Sequence, residues 1–337
     1  MWKNLSSYFT EDIFIIDLKN ARKDAINIVG SKGVSLGELI SIGIKVPPGF
    51  VITSHAYNYF ISYNKLDEKI SKIFRFEKDI EIISRKIKKL ILDGEIPQDL
   101  RNKIFLAYES LAKVIGNNGL VAVRSSVPPE DTLLIGTAEQ YETYLNVTKD
   151  ELLDAIKKVW ASLYTPIAIL DRRFKGLDQL KAKMAVIVQE MINSKTAGVM
   201  FTLHPITGDR NYIMIDSSWG LGEAVTSGKV TPDEILIEKS SLKIVQKKIS
   251  HKRLKIIYDK EKRKNVIINL SEEADKISIT DEEAIELAKL ALKIEKYYGI
   301  SMDIEWAIDS NLQFPDNIFI VQARPEIYWT DKQEEKK

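Results

Sequence analysis

The apolar positions of this chain change period several times, and each change marks an element. From residue 33 to 42 apolar residues recur at helical spacing until Gly43 stops them. Pro47-Pro48-Gly49 then turns the chain into an apolar strand at 50–52. Thr53 or Ser54 is placed to cap a following helix carrying Tyr57, Phe60 and Ile61. Residues 65–115 are charged and helically periodic, with breaks near Gly94 and Pro97, so several helices are expected there. A strand at 120–123 leads into Arg124-Ser125-Ser126 and a proline- and glycine-containing loop to Thr143.

An amphipathic helix is expected over 152–163. Residues 184–188 form an apolar run too short and too β-branched for a helix, which predicts a buried strand. Strands at 198–202 and 212–216 follow, joined through Gly208-Asp209, and then a glycine-punctuated loop at 219–228. Thr280 with Glu283 is a capping box that opens a helix using Ala284, Leu287, Ala288, Ala291 and Ile294, stopped by Gly299. Two strands close the pattern, and residues 331–337 form a charged tail expected to fray. The elements together predict an α+β protein.

Composition narrows the chemistry. The 337 residues, 45% hydrophobic and 29% charged, suffice for one large domain or two lobes. Forty-nine basic residues against 48 acidic ones leave a net charge of +1, so neither nucleic acid nor a membrane surface is an expected partner. The absence of cysteine excludes disulfides, thiolate catalysis and thiolate metal sites. Three histidines, His55, His204 and His251, argue against a multi-histidine metal cluster. Met1-Trp2-Lys3-Asn4-Leu5 has no signal-peptide character and no apolar run is of membrane-spanning length, so a cytoplasmic location is expected.

Four constellations carry candidate chemistry. In 300–308, alternation puts Met302, Ile304, Trp306 and Ile308 on one face and Asp303 and Glu305 on the other. In 318–325 the same alternation groups Ile318, Ile320, Gln322 and Arg324. Should the polar faces coincide, two carboxylates, an amide and a guanidinium share one surface, an oxygen set suited to Mg²⁺ shared with phosphates. An exposed face with an ordinary Asp–Arg pair fits the same residues. Gly30-Ser31-Lys32-Gly33 opens a helix, so its amides and Lys32 suit an anion, although the spacing is not that of a Walker A loop and a plain helix-start turn fits equally. Arg124 with Ser125 and Ser126 after it can fork onto phosphate oxygens or serve as a structural arginine. In Trp219-Gly220-Leu221-Gly222-Glu223, the carboxylate of Glu223 can touch a ribose or a metal, or begin a helix.

Taken together, GSKGVSLGELISIGIKVPPGFVIT, VAVRSS with ED and QYETYLNV, AGVMFT with HPITG, DSSWGLGEAVTSGKVTPDE, and SMDIEWAID with IVQARPE resemble the nucleotide-binding domain shared by phosphoenolpyruvate synthase, pyruvate phosphate dikinase and rifampin phosphotransferase. The motifs run in family order from about residue 30 to 326. The resemblance implies a two-lobed ATP-grasp fold with mixed or antiparallel sheets, with approximate lobes at 1–188 and 189–330 and ATP held between them. It implies Lys32 and Arg124 as phosphate binders, Glu305 and Gln322 as Mg²⁺ ligands, and Asp303 and Arg324 as supporting charges, Arg324 with Lys32 and Arg124 in the catalytic set. Gln189-Glu190-Met191 resembles the segment whose backbone meets adenine, and Glu223 joins the nucleotide site.

Family members transfer a phosphoryl or pyrophosphoryl group from ATP to a histidine on a swivelling domain. None of the three histidines here lies in the family's Gly-Gly…Ser-His-Ala setting. The resemblance therefore implies a phosphohistidine-domain protein acting in trans, as for the ATP-binding subunit of phenylphosphate synthase, or a piece of a longer chain. One departure stands out: Gly136-Thr137-Ala138-Glu139-Gln140 replaces the usual Ser-Phe-Ala-Gly-Gln. A carboxylate at Glu139 within about 4 Å of a phosphate would cost on the order of 1–4 kcal/mol. Turned outward or paired with a lysine it would cost less; a regulatory ATP-binding subunit that does not transfer phosphate is a second expectation, supported by Glu139 and opposed by the retention of Lys32, Arg124, Glu305 and Gln322. A carboxylate–amine ligase is a third, against which VQARPE and GLGE speak.

Overall fold

The computed structural model describes residues 13–115, 119–128 and 141–329. The loop around Glu139 and the charged tail lie outside the described residues. The chain forms two compact units, one of Met1–Glu38 with Pro48–Met191, the other of Leu39–Pro47 with Ile192–Lys337. Residues 39–47, expected in the first lobe, belong with the second unit because the Lys45 carbonyl accepts the Ile320 N–H at 2.9 Å and the Lys45 ammonium lies 4.5 Å from the Phe319 ring centroid.

The first unit is built on a five-stranded antiparallel sheet in the order β1-β2-β5-β3-β4. Its strands are β1 (Ile15–Asp17), β2 (Gly49–Ile52), β3 (Val121–Ser126), β4 (Thr143–Val147) and β5 (Ala185–Glu190). The central strands β5 and β3 are buried almost throughout, which is why they read as apolar runs rather than alternations. Helices α1 (Ile26–Ser41) as far as Glu38, α2 (Ser54–Tyr63), α3 (Leu66–Phe76), α4 (Ile80–Asp93), α5 (Gln98–Ala112), α6 (Leu152–Ala161) and α7 (Pro166–Phe174) complete it. Ile83, Ile87 and Ile91 of α4 form one apolar stripe, which joins Val186 and Val188 in the core with Phe60 and Trp160, whose rings lie 4.9 Å apart.

Three local expectations are corrected. The helix expected from residue 33 begins at Ile26 and is interrupted at Gly30, whose φ of 74° and ψ of 169° only glycine adopts readily. Thr53 stands at the N-cap of α2, yet its hydroxyl donates to the Ile13 carbonyl at 2.7 Å instead of capping. The helix expected over 152–163 ends at Ala161, and Ser162–Tyr164 tighten into a 3₁₀ turn.

The second unit carries a six-stranded antiparallel sheet, in the order β13-β12-β6-β7-β8-β9, and a separate hairpin, β10-β11. The elements are β6 (Ser194–Phe201), β7 (Tyr212–Trp219), α8 (Glu223–Thr226), β8 (Asp233–Glu238), β9 (Lys243–Lys248), β10 (Leu254–Asp259), β11 (Lys264–Asn269), α9 (Asp281–Tyr298), β12 (Met302–Asp309) and β13 (Ile318–Pro325). The capping box at Thr280 and Glu283 is formed in both directions, and Gly299 closes α9 in the left-handed conformation, as the residues predict. Helix α9 packs against β7, β8, β9 and β12 with Leu287, Ala288, Ala291 and Ile294 buried. Ile213, Ile215, Ile235, Ile237, Ile304 and Trp306 line the apolar face of the sheet. Among the described residues no helix is long and apolar enough to cross a membrane.

Candidate functional site

The other face of this second sheet carries Asp303, Glu305, Gln322 and Arg324. Asp303 pairs with Arg324 and Glu305 with Gln322 at directly opposed positions on β12 and β13. The Arg324 Nε donates to Asp303 Oδ2 at 2.7 Å, and the Gln322 Nε2 donates to Glu305 Oε1 at 3.3 Å. All four therefore share one surface. The grouping of Ile318 and Ile320 with them is corrected: a bulge after Glu305 shifts the register, so Ile320 opposes Trp306 and Ile318 opposes Ile308. The bulge is what keeps both apolar pairs on the buried side and both polar pairs off it.

Beside the polar pairs on the same face lies a small apolar cluster of Ile192, Ala197, Ala307 and Phe319, with Val321 packed against it. Gly222 stands over it, its missing Cβ only 3.5 Å from that of Ala197. The Gly220–Glu223 turn is pinned there by the Gly220 N–H to the Lys195 carbonyl and the Leu221 N–H to the Ile256 carbonyl, both 2.9 Å. Glu223 begins the short helix α8, where a carboxylate is favoured, and pairs with Lys229 at 3.0 Å. On this face a small buried apolar cluster thus adjoins a row of hydrogen-bonding and charged groups.

Sequence reasoning missed one member of this face. Glu305 stands opposite Val199, Val199 opposite Asp216, and Asp216 opposite Glu234, with Lys248 beyond. Burial, reinforced by Glu234, pushes the Asp216 carboxyl up to about 6, and Lys248 offsets part of this. The signal was present: Tyr212, Met214 and Asp216 alternate against Ile213 and Ile215.

In the first unit, Arg124 lies within β3, buried, and its Nη1 donates to Gln189 Oε1 at 3.2 Å. Gln189 is itself buried on β5. The Glu190 N–H donates to the Pro48 carbonyl at 2.8 Å and the Met191 N–H to the Leu120 carbonyl at 3.1 Å, so these two donors serve the sheet's own margin. Lys32 lies in α1 just beyond the interruption at Gly30. The amides at this helix start are not open to an anion as the glycines suggested. The Ser31 N–H donates to the Val127 carbonyl at 2.8 Å, and the Gly33 N–H to the Ser126 hydroxyl at 3.0 Å. Ser126 is correspondingly engaged with the backbone and offers no fork for phosphate.

Two of the three histidines have local partners. His204 Nδ1 accepts the Ile206 and Thr207 N–H groups at 3.3 and 3.4 Å, His251 pairs with Asp275 at 2.8 Å, and His55 lies in the first turn of α2. Among the described residues no group of three or more His, Cys, Asp or Glu is placed to hold a metal ion.

Comparison with known proteins supplies the family. The pyruvate phosphate dikinase AMP/ATP-binding domain matches residues 26–337. A probable phosphoenolpyruvate synthase of Staphylothermus marinus is 44% identical over 99% of this chain and 43% of its own length. The phosphoenolpyruvate synthase of Aeropyrum pernix is 39% identical over 95% of this chain and 43% of its length. For the probable phosphoenolpyruvate synthase of Methanocaldococcus jannaschii the figures are 38%, 96% and 27%. The chain thus spans less than half the length of these curated relatives. A solved D-alanine–D-alanine ligase of Helicobacter pylori matches at a TM-score of 0.29 and 11% identity, over 65% of this chain and 46% of its own, a likeness too slight to support an inference.

Proposed function

Because the chain belongs to the pyruvate phosphate dikinase AMP/ATP-binding domain family, we propose that it binds Mg·ATP in an ATP-grasp fold and donates a phosphoryl or pyrophosphoryl group to a histidine. The acceptor lies on a partner carrying a phosphohistidine domain, or in the further length that the relatives possess. One observation supports this most: Asp303 with Arg324 and Glu305 with Gln322 stand paired on a single sheet face, a set of oxygen donors and a guanidinium suited to a phosphate and the cation it shares.

The residues divide the work by chemistry. Lys32 and Arg124 neutralise phosphate charge, Arg124 being held in orientation by the Gln189 amide oxygen. Arg324, fixed by Asp303, presents a planar guanidinium beside Glu305. Gln189, Glu190, Met191 and Glu223 complete the nucleotide contacts in this assignment. Glu305 and Gln322 are the residues that would hold Mg²⁺. Their oxygens are hard donors, and so small a protein ligand set suits an ion that keeps water and phosphate oxygens in its shell. When bound, Mg²⁺ supplies charge compensation on the transferred group. The protein's contribution is positioning and preorganised positive charge, the two effects in-line phosphoryl transfer needs most. The same fixed charges would also serve a subunit that binds ATP without transferring, the reading that Glu139 favours.

The deciding experiment incubates the purified chain with γ- or β-labelled ATP, Mg²⁺ and a candidate protein containing the phosphohistidine motif. Acid-labile, base-stable label on that protein supports transfer. Tight ATP binding with no label on any candidate supports the regulatory reading instead.

A further inference from the structure

We propose that Ser126 is a positioning residue for the phosphate-binding lysine: its hydroxyl caps the helix that carries Lys32 and locks that helix to the strand that carries Arg124. The inference rests on the assignment of Lys32 and Arg124 as phosphate binders and goes beyond it, because Ser126 touches no ligand in this scheme.

The geometry is specific. Gly30 breaks α1, so the helical turn that follows starts anew with Gly30 at its N-cap and Gly33 three residues on. An N-cap side chain ordinarily accepts the N–H at that third position, and glycine has none. Ser126 supplies the oxygen from elsewhere: its Oγ accepts the Gly33 N–H at 3.0 Å and donates to the Val29 carbonyl at 2.7 Å, bridging both sides of the break. The next residue of the same strand end contributes as well, since the Val127 carbonyl accepts the Ser31 N–H at 2.8 Å. Lys32 is therefore flanked on each side by a residue whose amide is tied to the end of β3.

Gly30 is fitted to this arrangement. A Cβ there would lie 2.3 Å from the Ser126 hydroxyl and 2.5 Å from its backbone carbonyl, so the absent side chain makes room for the serine. Ser126 is 1% exposed, and Arg124 sits two residues earlier on the same strand. One hydroxyl thus sets the helix start bearing one cation against the strand bearing the other.

A double-mutant cycle tests this, with ATP affinity and, separately, inorganic triphosphate affinity measured calorimetrically on the whole chain. Ser126→Ala is expected to weaken ATP and triphosphate binding about tenfold while leaving adenosine affinity within about twofold. In a Lys32→Ala background the same substitution should change triphosphate affinity less than about twofold, because there is no longer a lysine to place. Ser126→Thr, which keeps the hydroxyl, should recover most of the loss. An equal loss in both backgrounds, or an equal loss for adenosine, makes Ser126 merely structural and overturns the proposal. Lys32→Ala weakening triphosphate while Ser126→Ala does nothing defeats the Ser126 inference alone. No effect from Lys32→Ala defeats the phosphate-binding assignment and the inference with it. Should Ser126→Ala not fold, Ser126→Cys, with a weaker donor and acceptor, enters the same cycle under the same criteria.

Discussion

Arg324 and Asp303 face each other across the last two strands, Nε to Oδ2 at 2.7 Å, immediately beside the Glu305–Gln322 pair. The Asp303 carboxylate is largely buried while the guanidinium is about one-third exposed. The aspartate thus fixes an arginine that still reaches the surface. Arg324→Lys keeps the charge and loses the planar fork. We expect transfer to fall at least about tenfold, with stability changed by less than about 1 kcal/mol. Labelling rates and thermal unfolding check both; an unchanged rate would reduce Arg324 to a strand-pairing residue.

Lys32→Ala and Glu305→Gln act on opposite charges and share an outcome. Each is expected to lower labelling of the partner by more than about 100-fold. Glu305→Gln should also raise the Mg²⁺ concentration needed for half-maximal ATP binding, whereas Lys32→Ala should not. Unchanged labelling in either variant refutes the role given to that residue.

Asp216 makes stability depend on pH. Its folded pKa of about 6 lies above the ordinary 3.8, so the folded chain holds this proton more tightly than the unfolded chain does. The contribution is thus greatest in acid and declines as pH rises from about 4 through about 6. Asp216→Asn removes the ionisation, and the variant should gain on the wild type by on the order of 2–3 kcal/mol between pH 4 and pH 7.5. Denaturant unfolding at the two pH values measures this, and an equal difference at both would rule it out.

Asp233 and Lys252 are fully buried and paired at 2.5 Å, and the aspartate also accepts the Ser250 N–H, the Ser278 N–H and the Ser278 hydroxyl. Asp233→Ala strands a buried ammonium and should cost about 3–5 kcal/mol. Lys252→Met should cost less, since Asp233 keeps its three other donors. The reverse order in denaturant titrations would contradict this account of the cluster.

Gly198→Ala is expected to disrupt the second sheet locally. A Cβ at this position would meet the Asp216 carbonyl at 1.9 Å and the Trp306 ring at 2.8 Å, and neither a strand backbone nor a buried indole yields readily. A loss of about 2 kcal/mol or more in unfolding free energy is anticipated. A variant as stable as the wild type would show that the strands part more easily than their pairing suggests.

What the sequence determined by itself was whatever depends on neighbours along the chain. The capping box at Thr280 and Glu283, the stop at Gly299, the buried run within Ala185–Glu190 and the alternation of Asp303 and Glu305 are all set by local periodicity and terminal hydrogen bonding. Tertiary structure decided what depends on a distant strand. Alternation along β13 put Ile320 with Gln322, and only the bulge against β12 separated them, because register is a property of two strands. Similarly, the glycines flanking Lys32 read as an opening for an anion until Ser126, more than ninety residues away, took the amide of Gly33. A hydrogen bond of that kind leaves no period in the sequence, since the residue that completes it is brought near only by the fold.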